Sequence, residues 1–187
     1  MRDWERSEFV TPFFITKGGP HKIMKYTFKE LIDVPKLQAL TDELYTAASI
    51  PSAIVAMDGE ILTGSGWQKI CTDFHRKHPE IEKECIESDT IIRKRLDDGE
   101  PYVIYKCPRG LVDASSPIII AGEHVANVFS GQVFLESRDE TTERFFREQA
   151  RKFGFDEAEY IKAFKEVPIF KEKKFRAGIS FLTKLAQ

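Results

Sequence analysis

No stretch of this sequence is long and apolar enough to cross a bilayer. Runs such as Pro117-Ile-Ile-Ile-Ala121 are of strand length, far short of the ~18 residues a spanning helix needs. Membrane insertion by this segment is not expected. The opening Met1-Arg-Asp-Trp-Glu-Arg6 lacks the apolar stretch that follows a signal-peptide start, so a cytoplasmic location is expected. An excess of one charge is missing too. The 28 basic residues face 30 acidic ones, for a formal net charge of -2. No broad positive surface for a phosphate backbone follows, and direct nucleic-acid binding is not expected. Cysteine is sparse and odd in number: Cys71, Cys85 and Cys107. That argues against a secreted disulfide framework and for reduced, buried thiols. Catalytic signatures are absent as well. There is no Gly-x-Ser-x-Gly, no His-Glu-x-x-His, and no P-loop or kinase set. Gly64-Ser-Gly66 lacks the third glycine of a phosphate cradle. A domain without its own catalytic set is expected; any kinase would belong to a longer parent.

What is present reads as one soluble core. With 187 residues, 42% hydrophobic and 31% charged, a domain of roughly 150 residues plus extra helices can close without disulfides. Residues 1 to 24 are broken by Thr11-Pro12 and Lys17-Gly-Gly-Pro20. Asp33 can cap a helix with Pro35 in its first turn, and Leu37, Leu40, Leu44 and Ala48 follow helical spacing. Strands are predicted at 52–57 and 60–65, joined by Asp58-Gly59. Trp67, Ile70, Cys71, Phe74 and His78 fall at helical spacing, as do Ile81, Cys85, Ser88, Ile92 and Leu96, with Asp98-Gly99 as the stop. Three further strands are predicted at 101–107, 112–120 and 124–135. Helices follow at 143–153, 157–164 and 175–185. This order predicts an α+β fold: a five-stranded antiparallel sheet with the middle helices on one face, plus N- and C-terminal helices.

Several fragments then fall in a telling order. They are Leu31-Ile-Asp-Val-Pro-Lys-Leu-Gln38, Ala53 to Asp58 with Gly59, and the spaced cysteines Cys71, Cys85 and Tyr105-Lys-Cys107. Gly110-Leu-Val-Asp113, Pro117-Ile118 and Ser130-Gly-Gln-Val133 complete the series. Together they resemble the PocR sensory domain family, which is PAS-like in fold. Pro108 departs from the pattern, since members often carry a His just after the third cysteine. The resemblance implies a ligand-binding sensory input domain of a prokaryotic signal-transduction protein. Its output would be a histidine kinase of a two-component system or a transcriptional regulator. The ligand it implies is a simple hydrocarbon derivative such as a small diol. The expected division is an irregular arm at 1–25, the sensory domain at 26–140, and C-terminal helices at 141–187 leading toward an output module.

The expected ligand-contacting set is Trp67, Cys71, Phe74, Cys85, Cys107, Leu111, Asp113 and Gln132. Asp113 precedes a buried strand, and Gln132 stands among Phe129, Val133 and Phe134, where a polar group needs partners. By strand alternation Ser130 and Gln132 share a face. An alternative is a metal or redox sensor. Three converging thiolates suit a soft metal, and His75 lies one turn from Cys71. No cofactor is required, the cysteine spacing enforces no metal site, and plain core thiols remain a third reading. The run Phe74-His-Arg-Lys-His78 and the acidic stretch Glu82, Glu84, Glu87 and Asp89 read as solvated faces. A homodimer through the terminal helices is expected. On the last helix Phe175, Ile179, Leu182 and Ala186 form one apolar stripe, and Phe181 and Leu185 lie on another side.

Overall fold

A computed structural model describes residues 27–97 and 100–185, with the side chains of 90–95 and of Asp97 excepted. The arm at 1–25, the stop at Asp98-Gly99, and the predicted core positions of Ile92 and Ala186 lie outside the described side chains.

The chain opens with α1 (Phe28–Leu31) and α2 (Val34–Ala48). Asp33 caps α2 by accepting from the Lys36 amide at 3.1 Å, and Pro35 sits in the first turn, where its missing donor costs nothing. Strands β1 (Ser52–Ala56) and β2 (Ile61–Ser65) pair across the Asp58-Gly59 turn. Gly59 takes a φ of 93° there, a conformation that glycine adopts without a Cβ clash. A π-turn (Ile70–Phe74), a 3-10 turn (His75–Lys77) and α3 (Pro79–Asp97) follow, then β3 (Val103–Lys106), β4 (Val112–Ile120) and β5 (Glu123–Val133). The sheet order is β2-β1-β5-β4-β3, antiparallel throughout. This is the α+β sheet the sequence predicts. It ends with α4 (Glu140–Phe153), α5 (Glu157–Glu166) and α6 (Glu172–Leu185). Asp139 and Asp156 cap the first two, accepting from Thr142 and Glu159 amides at 2.7 and 2.9 Å.

Three apolar clusters fix the layers. On one face of the sheet, Ile54, Ile118, Ala126 and Val128 pack with Phe28, Leu37 and Leu44 from the N-terminal helices and with Leu182 of α6. Beside them Ala114 and Val133 meet Phe170, Phe175 and Ile179. The predicted stripe of α6 is therefore its sheet-facing side, and Phe181 and Leu185 are exposed at 54% and 63%. Leu40, placed on the buried stripe by its spacing, is exposed because α2 turns Leu37, Thr41 and Leu44, with Gln38 bonded to β2, inward instead. The third cluster lies at the end of the sheet. Phe146, Tyr160 and Phe164 pack on Ile70, Leu111 and Phe134, with ring centroids of Phe146 and Phe164 4.5 Å apart. Phe134 donates to the Pro168 carbonyl at 2.9 Å and accepts from the Phe170 amide at 2.8 Å, tying the α5–α6 connection to the end of β5. No helix among the described residues is long and apolar enough to cross a membrane.

Candidate functional site

The second face of the sheet is only partly filled by apolar packing, where Leu96 of α3 meets Val103 of β3. Between it and the turn-plus-α3 segment lies a cavity of about 240 Å3. Val55, Phe129, Trp67, Tyr105 and the three cysteines line it with Arg76, Asp89, Arg109, Asp113 and Gln132.

Asp113 sits at the floor, where β4 and β5 slip register between Val112 and Asp113. The slip is a bulge at Gly131-Gln132. Gly131 passes so close to Asp113 that a Cβ there would lie 2.4 Å from Asp113 Oδ1 and 2.5 Å from its Cα, so only glycine fits. Gln132 takes a φ of 59°, a left-handed conformation that costs a side-chain-bearing residue about 1–2 kcal/mol. The bulge turns the Gln132 amide onto Asp113 Oδ1 at 2.8 Å. Burial, partly offset by that bond and aggravated by the Asp89 charge, pushes the Asp113 carboxyl up to about 7. Asp113 thus stands between its neutral and charged forms near neutral pH.

The opposite wall is built by the segment after β2. Gln132 Oε1 accepts from the Gln68 amide at 2.7 Å, and the Gln68 carbonyl accepts from the Cys71 and Thr72 amides at 2.9 and 3.1 Å, opening the π-turn. That extra residue per turn changes which side chains face inward. The predicted regular helix face over Trp67–His78 is thereby replaced. His75 points in and is 1% exposed, although the polar run around it suggested solvent. His75 Nε2 lies 2.7 Å from Tyr160 Oη on α5, and Nδ1 lies 3.9 Å from Cys71 Sγ. Burial, with Arg109 and Arg76 nearby, lowers His75 to about 3, so the imidazole is neutral.

The charged groups are largely spoken for. Arg76 pairs with Asp89 at 3.3 Å and lies over the Trp67 ring at 5.3 Å. Tyr105 donates to the other Asp89 oxygen at 3.3 Å, and burial still raises the Asp89 carboxyl above its ordinary value. Arg109 pairs with Glu84 and lies over Phe153 at 5.1 Å. Glu84 and Asp89 are therefore not part of a solvated face; Glu82 and Glu87 are. The sequence does not assign Arg76, Asp89, Tyr105 and Arg109 to the cavity, and it reads Arg76 and Asp89 as solvated, because their pairings span 13 to 25 positions and leave no local signature.

Of the expected contacts, Trp67, Cys71, Cys85, Cys107, Asp113 and Gln132 are brought together around the cavity. Phe74 and Leu111 stand behind it in the aromatic cluster. Gln132 spends its acceptor on Gln68, leaving the Nε2 donor as its free half. Burial raises all three thiols, Cys107 to about 12 and Cys71 well above the ordinary thiol value. Among the described residues no group of three His, Cys, Asp or Glu side chains is arranged to hold a metal ion.

No solved structure matches the chain. The regulatory protein PocR of Salmonella typhimurium is 37% identical over 62 residues, which are 33% of this chain and 20% of that relative. The chain thus spans a small part of that curated relative's length. The family model described as the sensory domain found in PocR matches residues 30–187, covering the sheet, the cavity walls and α4–α6. A match over this much of the chain, on a fold whose cavity gathers the motif residues Cys71, Cys85, Cys107, Asp113 and Gln132, places it in the family of PocR sensory domains.

Proposed function

We propose that the cavity receives a small, uncharged, hydroxyl-bearing organic molecule and that the chain is the input domain of a regulator. The observation that carries this reading is the state of the cavity's charged groups. Arg76 and Arg109 already have carboxylate partners, and burial favours the protonated form of Asp113, raised to about 7. An anion would find no unpaired cation among the described lining residues, and an amine only a carboxyl whose charged form is buried at a cost, whereas a hydroxyl finds the Asp113 carboxyl and the Gln132 Nε2 donor. The volume of about 240 Å3 is below the ~300–1,000 Å3 typical of sites for larger ligands, which favours a molecule of a few carbons. The apolar wall of Val55, Phe129 and Trp67 suits its hydrocarbon part. A short diol, the class implied by the family resemblance, has both ends.

The relative's description as a regulatory protein supports an output that is a transcriptional regulator, with a histidine kinase as the other candidate. A cytoplasmic location fits that role. The exposed Phe181 and Leu185 on α6 support self-association through the last helix. Protonated, weakly nucleophilic thiols speak against a cysteine enzyme and against a redox reading alike.

Calorimetric titration of the domain with propane-1,2-diol, ethanol, propionate and propylamine tests the reading. Saturable binding of the diol alone supports it. Preference for the carboxylate or the amine would overturn it.

A further inference from the structure

We infer that Gln132 is a positioning residue that couples the cavity-facing carboxyl of Asp113 to the turn at residues 68–77, and through it to α5. The ligand's part in this rests on the cavity being the ligand site; the coupling itself does not.

The connection is continuous and made by one residue at both ends. Gln132 gives its amide to Asp113 Oδ1 at 2.8 Å and its side-chain oxygen to the Gln68 amide at 2.7 Å. Gln68 in turn holds the first amides of the π-turn, those of Cys71 and Thr72. The turn carries His75 to its 2.7 Å contact with Tyr160 of α5. Gly131 leaves no room for a side chain against Asp113, so the bulge sits hard against the carboxyl it serves.

A charged carboxylate accepts an amide hydrogen bond more strongly than a neutral carboxyl does. A proton lost from Asp113, or a ligand hydroxyl engaging its second oxygen, therefore changes the pull on the Gln132 backbone. Gln132 sits at a φ of 59°, away from the broad wells. A shift there moves the side-chain oxygen that Gln68 leans on. The groups whose charge reaches Asp113, or is reached by it, are Arg76 from the 3-10 turn, Cys71 from the π-turn, and Asp89 and Cys85 from α3. Tyr105 and Cys107 do so from β3 and its exit. The Asp113 carboxyl, raised to about 7, gains or loses its proton near neutral pH, while Asp89, also raised by burial, is held by Arg76 and Tyr105.

The test is an NMR titration of the whole ligand-free chain from about pH 5.5 to about pH 8.5, reading side-chain carboxyl and backbone amide signals. The Asp113 carboxyl and the amides of Gln132 and Gln68 should move with one shared midpoint. Asp113→Asn should abolish the movement of both amides. Gln132→Asn keeps an amide residue tolerant of the left-handed conformation but is one methylene too short to reach Gln68. In that variant Asp113 and the residue-132 amide should still titrate while the Gln68 response is lost. An unresponsive Gln68 in the parent chain overturns the coupling. So does a Gln68 response that survives Gln132→Asn, or an Asp113 that does not titrate in this window. Adding propane-1,2-diol separates the two readings. No response to the diol with the pH coupling intact counts against the ligand assignment alone.

Discussion

Replacing Asp113 by Asn should make the domain more stable at alkaline pH while weakening ligand binding. Asn keeps an oxygen for the Gln132 amide and nearly the same shape, but it cannot carry the charge. Raising the carboxyl from 3.8 to about 7 corresponds to about 4 kcal/mol set against the charged form. Because the cavity leaves part of the group exposed, a gain of about 2–4 kcal/mol at pH 8 is the realistic expectation. Between about pH 4 and pH 7 the native Asp113 holds a proton that the unfolded chain has released, so stability falls as pH rises through that window. His75 acts in the opposite sense. Lowered from 6.5 to about 3, it stays neutral in the fold while the unfolded chain takes up a proton, so stability falls as pH drops below 6.5. Where the two windows overlap, the slopes oppose each other and the parent profile is nearly flat. Asp113→Asn should unmask the His75 slope, about 1.4 kcal/mol per pH unit. Urea unfolding followed by circular dichroism at half-unit steps from pH 4.5 to pH 8 reads this directly. An Asn variant equally destabilised at pH 5 and pH 8 would refute the reasoning, because Asp113 would then be a structural carboxylate.

Three further outcomes follow from the same geometry. Tyr160→Phe strands the buried Nε2 of His75 and should cost about 1–3 kcal/mol in urea unfolding, a loss that His75→Phe in the same chain should shrink. Gly131→Ala should destabilise by about 2 kcal/mol or more, since its Cβ would sit 2.5 Å from the Asp113 backbone; an unchanged unfolding midpoint would contradict the close approach. Cys71 and Cys107 should alkylate with iodoacetamide at pH 8 much more slowly than a free thiol, and more slowly still with diol present; rapid labelling would contradict the burial argument.

The sheet was legible because each strand carries its own signal. Asp58-Gly59 marks one hairpin, and the Ile118–Ile120 and Val125–Val133 runs flank another turn at Ala121-Gly122. Asp33 placed α2 as a cap, whereas the Asp139 cap was not read from the sequence and α4 starts at Glu140, three residues before the predicted start. The π-turn was not legible, because its cause is distant. It begins where Gln68 is held by Gln132, 64 positions away. Without it, His75 looked solvated and the helix looked regular. The bulge at Gly131-Gln132 likewise broke the simple alternation. Ala126 and Val128 face the N-terminal helices, yet Val133 of opposite parity faces α6. Periodicity alone cannot see an inserted residue. The six cavity residues found from sequence belong to local motifs, whereas the ion pairs that set the cavity's charge join residues far apart in the chain.

The most direct test of the central claim is a crystal structure of the domain soaked with propane-1,2-diol. The account predicts the diol in the cavity, one hydroxyl within hydrogen-bond distance of Asp113 and the carbon chain against Phe129 and Val55. A cavity closed by side chains, or a diol bound only elsewhere on the surface, would contradict it.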